Sequence, residues 1–522
     1  MDGKLARRLI AAAALIFVWI PEAASEIPAP IANTTAGSVS GLATANGGAV
    51  FKGIPYADPP VGNLRWEAPQ PVTTWTGIRQ ATAFGHPCAQ LESMSNHWNT
   101  EAAANSSEDC LYLNVYTPKF SPSAHLPVML WIHGGAFLGG AGSSAVYDGE
   151  HLAAYGVVLV NVNYRLGVFG FFTHPSLTAT SSSHSSGNFG LEDQIAALKW
   201  VKANIAAFGG DPDNITLFGQ SAGGASVNAL VTSPLTEGMV RNAIIESGIA
   251  LRMITARSLR DSEQVGLRFA DGKSISDLRA MSTSALLQRY DEFAKTNPPF
   301  GPIVDGHVLV GDPMAVFARH EEHPVHLIVG SNAREMFEDG KSIKLREAIQ
   351  RAFGKSAKRA LELYGIGNGA DTLADPTIGD SRNQLLTDTG ARCGAEIAAA
   401  RHSASGNLTW EYHFEQSLPG KEPVGAQHSY ELPYVFGNFL KGGLLGGTFG
   451  DSDRALSNVI MKYWTNFAKT GNPNGQSLPN WPAYDTSERS FVRLSTAYPG
   501  NARADTKLRG EICRLYEQNL EN

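Results

Sequence analysis

A serine flanked by small residues, Gly219-Gln220-Ser221-Ala222-Gly223, follows the apolar run 215–218 (ITLF) directly. Gly-x-Ser-x-Gly after a strand is the pattern of a nucleophile turn. Small residues permit a sharp strand-to-helix reversal that leaves the serine on a strained backbone with its hydroxyl exposed. In a chain with 54 Gly the bare pattern also arises by chance, so its setting carries the argument. Residues 222–230 (AGGASVNAL) can continue as a helix whose first N–H groups have no helical acceptor and can face an anion. A second Gly-rich stretch, Trp131-Ile132-His133-Gly134-Gly135-Ala136-Phe137, leaves another apolar run. Glycines there let the main chain approach a substrate carbonyl without a Cβ in the way. The N–H groups of Gly135, Ala136 and Ala222 are therefore the candidate oxyanion donors, while His133, at the strand end, reads as structural. The chemistry indicated is acyl transfer through an activated serine.

Such a constellation needs a sheet to hold it. The segments 128–133 (VMLWIH), 157–163 (VVLVNVN), 215–218, 243–246 (AIIE) and 327–329 (LIV) are short apolar runs, most followed closely by Gly, Ser or Asn. They read as buried parallel strands. Between the second and third, Leu191, Ile195, Leu198, Val201, Ile205 and Phe208 recur at helical spacing, which predicts an amphipathic helix. A late helix is expected over 457–469, stopped by the turn residues 470–475 (TGNPNG). Strands alternating with helices give an α/β fold class, a mostly parallel central sheet flanked by helices. The helix-like regions 251–312 and 341–405 read as insertions above the strand ends, over the active site.

The 522 residues are 43% apolar and 17% charged, which excludes a disordered chain. The net charge of −7, without a run of Lys or Arg, speaks against nucleic acid as a partner. At the N-terminus Lys4, Arg7 and Arg8 precede an apolar stretch ending at Ile20, then Pro21 and the small residues Ala23, Ala24 and Ser25. This predicts a secretory signal peptide over 1–25, cleaved after Ser25, and a protein that is secreted or periplasmic. A dozen apolar residues fall short of the ~20 needed to span a bilayer, and no later segment is long enough, so stable membrane insertion is not expected. Residues 26–522 are expected to form a single domain. Cys88, Cys110, Cys393 and Cys513 make an even count in an exported chain, which favours two disulfides with three connectivities open. No Cys-x-x-Cys or Cys/His cluster is visible, so zinc is not expected, and acyl transfer through a serine gives neither a metal nor a cofactor a task.

Several blocks taken together resemble the type-B carboxylesterases, the α/β-hydrolases that include cholinesterases and bacterial carboxylesterases. The blocks are 51–71 (FKGIPYADPPVGNLRWEAPQP), 108–116 (EDCLYLNVY), the WIHGGAF loop, 187–224 with GQSAGG at its end, and 425–436 (GAQHSYELPYVF). The resemblance implies an α/β-hydrolase fold and hydrolysis of a small-molecule carboxylic ester. It implies Ser221 as nucleophile, His428 as triad histidine and Glu335, in 330–335 (GSNARE), as triad acid, with Glu338 the nearest substitute. It also implies Ser247 as a residue orienting the acid, and the pairings Cys88–Cys110 and Cys393–Cys513. The order Ser, acid, His is the one α/β-hydrolases use. One position departs: the family usually has Glu before the serine, and here stands Gln220. The missing negative charge argues against a choline ester, although Trp98 could mimic a choline-binding aromatic. Rival readings on the same scaffold are an amidase, a lipase, or an inactive adhesion-type binding protein, which typically lacks the serine.

Overall fold

A computed structural model describes residues 28–92, 104–248, 257–335, 344–366 and 374–520; the leader 1–25, Trp98 and Glu338 lie outside the described residues. The aliphatic runs form strands, and their burial shows why. Every residue of Val158–Val162 is buried, as expected for a strand covered on both faces. In chain order the strands among the described residues are β1 (Ile31–Asn33), β2 (Ser38–Ser40), β3 (Leu42–Ala43), β4 (Ala49–Pro55), β5 (Ile78–Gln80), β6 (Tyr112–Thr117), β7 (Leu126–Ile132), β8 (Val158–Val162), β9 (Gly210–Gln220), β10 (Asn242–Glu246), β11 (His326–Asn332), β12 (Thr409–Phe414), β13 (Ser490–Leu494) and β14 (Ala502–Thr506). Eleven of them make one sheet in the order β14-β13-β12-β11-β10-β9-β7-β8-β6-β4-β3, and β1-β2-β5 make a small second one. Strands β7 to β13 pair in parallel with one another. The antiparallel pairings are confined to the two flanks. All five apolar runs singled out in the sequence lie within this parallel centre.

Alternation along the strands sends side chains into two separate cores. Leu130, Val160, Leu217 and Leu327 pack on one face with Leu191, Ile195 and Ile397. Trp131, Leu159, Phe218, Ile244 and Ile328 pack on the other with Trp464. The helix expected from Leu191 runs from Phe189 to Asn204, then tightens into a 3₁₀ turn over Ile205–Phe208. The late helix spans Asp451–Thr470, ending at left-handed Gly471 as anticipated but starting earlier than the apolar pattern. Its first turn is polar and therefore silent in periodicity. It is set by the Asp453 carboxylate, which accepts the Gly450 N–H at 2.8 Å.

The region 341–405 is only partly an insertion. Its last helix, Cys393–Ala404, packs on β11 and β12 as the crossover between them. The sequence pattern puts it above the sheet because β12, with its mixed sequence TWEYHF, offers no apolar run to mark the strand that this helix serves. Both disulfides, Cys88–Cys110 and Cys393–Cys513, are present. Among the described residues no helix is long and apolar enough to cross a membrane.

Candidate active site

The candidate site forms where parallel strands end, outside their carboxyl edges, the usual position for ligands in open α/β sheets. Ser221 follows β9 directly and has φ +57° and ψ −122°, a conformation that costs a non-glycine residue of order 1–3 kcal/mol. Neighbours hold it there. The Ser221 N–H donates to the Glu246 carbonyl at 2.9 Å, and the Ala225 N–H donates to the Ser221 carbonyl at 2.8 Å. A Cβ on Gly223 would lie 2.0 Å from the Ile132 carbonyl oxygen, so the glycine after the serine is required by the close approach of β7. The helix Ala222–Leu230 begins at once, as expected.

The loop after β7 comes against this turn. A Cβ on Gly134 would sit 3.2 Å from Ser221 Cβ, which places the Gly134-Gly135-Ala136 backbone beside the serine. Gly135 and Ala136 have φ of +114° and +56°, so the chain turns sharply there, with Ala136 exposed. His133 is buried, and burial pushes its pKa down to about 4 against the raising effect of its hydrogen bond to the Gly134 carbonyl. It stacks on Tyr164, in keeping with the structural role read from the sequence.

Glu335, His428 and Ser247 converge from three different connections. His428 Nδ1 lies 2.6 Å from Glu335 Oε2. The other carboxylate oxygen, Oε1, accepts the Ser247 hydroxyl and the Asn332 N–H, each at 2.6 Å. Burial alone would push the Glu335 carboxyl up, but the hydrogen bond and charge of His428, with Ser247 and Asn332, hold it below the usual range. Burial likewise pulls His428 down, and it is outweighed by Glu335 and by the charge of Glu431, so the imidazole sits above its ordinary value. Its far nitrogen, Nε2, is 3.3 Å from Gln220 Nε2, the side chain immediately before Ser221. In the neutral tautomer that keeps Nδ1–H on Glu335, Nε2 carries the lone pair and the Gln220 amide is the donor.

Three residues here were not anticipated. Asn332 links the acid to the histidine loop: its side-chain amide donates to the Gln427 carbonyl at 2.8 Å and to the Glu431 carboxylate. Glu431 is buried, and burial together with Glu246 and Glu335 pushes its pKa up to about 8. Its only sequence signal is its place three residues after His428. Thr387 accepts the Glu335 N–H at 3.1 Å across a gap of 52 residues, and no local pattern announces it.

The arrangement supplies a hydroxyl on a strained turn, an imidazole oriented by a buried carboxylate, and a glycine-lined backbone beside them. The chain has esterase relatives along nearly its whole length. The carboxylesterase family model matches residues 28–515. A fumonisin B1 esterase of Sphingopyxis macrogoltabida is 37% identical over 487 residues, covering 89% of this chain and 87% of that protein. A para-nitrobenzyl esterase of Bacillus subtilis (strain 168) is 38% identical over 489 residues, covering 89% and 95%. Among solved structures, a PNB esterase superposes with a TM-score of 0.80 at 34% identity, over 94% of this chain and 99% of that one. With sheet order, site architecture and relatives in accord, the chain belongs to the carboxylesterase family and is a carboxylic ester hydrolase of the α/β-hydrolase fold.

Proposed function

We propose that the protein is an exported serine esterase, with residues 26–522 forming one catalytic domain behind a cleavable leader over 1–25. Ser221 is the nucleophile, His428 the general base and acid, and Glu335 the residue that fixes the imidazole tautomer and stabilises its cation. His428 Nε2 takes the hydroxyl proton as Ser221 Oγ attacks the ester carbonyl. The resulting oxyanion is held by the N–H groups of Gly135, Ala136 and Ala222, and its collapse expels the alcohol, which His428 protonates. Water then repeats the sequence on the acyl-enzyme and releases the acid. Export is supported by the leader sequence and by two disulfides, which persist in oxidising compartments. The substrate class is a small-molecule carboxylic ester, and a neutral Gln220 favours an alcohol portion without positive charge.

The observation that carries this reading is the 2.6 Å contact of His428 Nδ1 with Glu335, with Nε2 turned to the residue that precedes Ser221. Ser221→Ala is expected to lower kcat on a p-nitrophenyl ester by about four orders of magnitude or more. A fluorophosphonate probe is expected to label Ser221. Wild-type turnover by S221A, or labelling of another serine, would overturn the assignment. Matched short-chain esters, long-chain triacylglycerols and anilides separate an esterase from a lipase or an amidase on the same residues.

A further inference from the structure

The helix Ser381–Thr387 does not run straight into the helix Cys393–Ala404. Between them Asp388–Arg392 forms a wider π turn, closed by the Cys393 N–H donating to the Asp388 carbonyl five residues back. In an α-helix, positions five apart stand about 140° apart around the axis. A turn closed over five residues returns them to one face, and π turns recur at functional sites. Here the residues returned to one face are Thr387 and Arg392, and both reach the segment that carries Glu335. The Thr387 hydroxyl accepts the Glu335 N–H at 3.1 Å, and Arg392 Nη2 donates to the Ala333 carbonyl at 2.8 Å. The same segment is also tied to the sheet, the histidine loop and the loop before the helix Ser381–Thr387: Ala333 N–H donates to the Phe414 carbonyl at 2.9 Å, Arg334 N–H to the Ala426 carbonyl at 2.8 Å, and the Arg334 guanidinium to the Pro376, Thr377 and Pro423 carbonyls at 2.7, 3.1 and 3.1 Å.

The clamp is itself braced. Asp388 pairs with Arg392 and accepts Arg509 at 2.9 Å and the Tyr364 hydroxyl at 2.9 Å. Cys393, the next residue, is bonded to Cys513 on the helix Gly510–Leu520. Thr387, Asp388 and Arg392 are all buried. This is more than packing requires, since a straight helix with apolar side chains would fill the same space without directing two polar groups at one three-residue segment.

We infer that Thr387 and Arg392, brought to one face by the π turn, are positioning residues that hold Glu335 at the distance His428 needs. The inference rests on the triad assignment proposed above. It is tested by kcat, KM and pH–rate profiles of T387V, T387S and E335Q on a p-nitrophenyl ester, with thermal unfolding of each. T387V keeps the shape of Thr387 and removes the acceptor. It is expected to lower kcat about tenfold to a hundredfold with KM within about twofold of wild type. A loosened Glu335 supports the imidazolium less, so the acidic limb of kcat/KM is expected to move to lower pH, in the same direction as in E335Q. T387S, which restores a hydroxyl, is expected to recover kcat to within about threefold. If T387V does not reach the folded state, R392K carries the same readout, because it keeps a positive charge beside Asp388 and loses the planar donor aimed at Ala333. Wild-type kcat in T387V, or a lower kcat with the acidic limb unmoved, would overturn the inference and leave the triad assignment standing. Wild-type turnover in E335Q would instead overturn the triad assignment.

Discussion

At Gln220 a single atom's difference from the family's usual Glu changes the electrostatics of the base. An amide at 3.3 Å from His428 Nε2 donates to the lone pair of the neutral imidazole, whereas a carboxylate would favour the protonated form. The imidazole already sits above its ordinary value because Glu335 outweighs burial. Since the neutral form is the working base, activity is expected to fall as pH drops through a limb lying above about 6.5. Gln220→Glu should move that limb to higher pH, cutting the rate at neutral pH while the alkaline plateau persists. A pH–rate profile of Q220E checks this, and a limb that stays in place or moves down would contradict the geometry described for Nε2. The same substitution should improve turnover of esters with a cationic alcohol relative to neutral ones, measured as a ratio of kcat/KM.

Elements are tied together by buried ion pairs placed where loops must not drift. Arg165, just after β8, meets Asp193 on the helix Phe189–Asn204 through two parallel contacts, Nε to Oδ2 at 2.8 Å and Nη2 to Oδ1 at 2.7 Å. The Arg165 main-chain N–H adds a third at 3.0 Å, and Arg165 Nη1 donates to the Glu67 carbonyl at 2.8 Å. Neither side chain is more than 3% exposed. Removing one partner strands the other charge in the interior, so Asp193→Ala is expected to cost about 3–5 kcal/mol of stability. Urea unfolding measures it, and a loss below about 1 kcal/mol would mean that the freed guanidinium reaches water. Asp193 carries no apolar signal of its own in the sequence. It occupies the buried face of a helix whose pattern was read from Leu191, Ile195 and Leu198.

Over the whole molecule, the Cys393–Cys513 bond joins residues 120 apart and fastens the C-terminal helix to the element that follows the π turn. Cys88–Cys110 spans only 22 residues. In the chain-entropy model the long closure restricts the unfolded chain more, by about 5 kcal/mol against about 3. The double variant Cys393→Ser/Cys513→Ser should therefore lower Tm more than Cys88→Ser/Cys110→Ser. Calorimetry of the two variants decides this, and the reverse order would show that native-state packing around the bonds outweighs the loop term.

His428 and Glu335 were named only through the family resemblance of their blocks, whereas short, strong and local signals were legible in the chain alone: the aliphatic runs that became β7 to β11 and the Gly-Gln-Ser-Ala-Gly turn. They can be read because a buried strand must be apolar and a tight turn must have small residues, whatever lies around them. The mixed strand β12, the crossover helix behind it, Asn332, Thr387 and the π turn could not be read in this way. Their roles come from partners tens of residues distant, and a hydroxyl accepting an N–H across 52 positions leaves no trace in spacing or composition. Residue types and spacing thus determined the serine turn and the strands beside it, and the family resemblance named the histidine and the acid. Tertiary structure decided how firmly they are held, because the contacts that hold them are made between elements rather than along the chain.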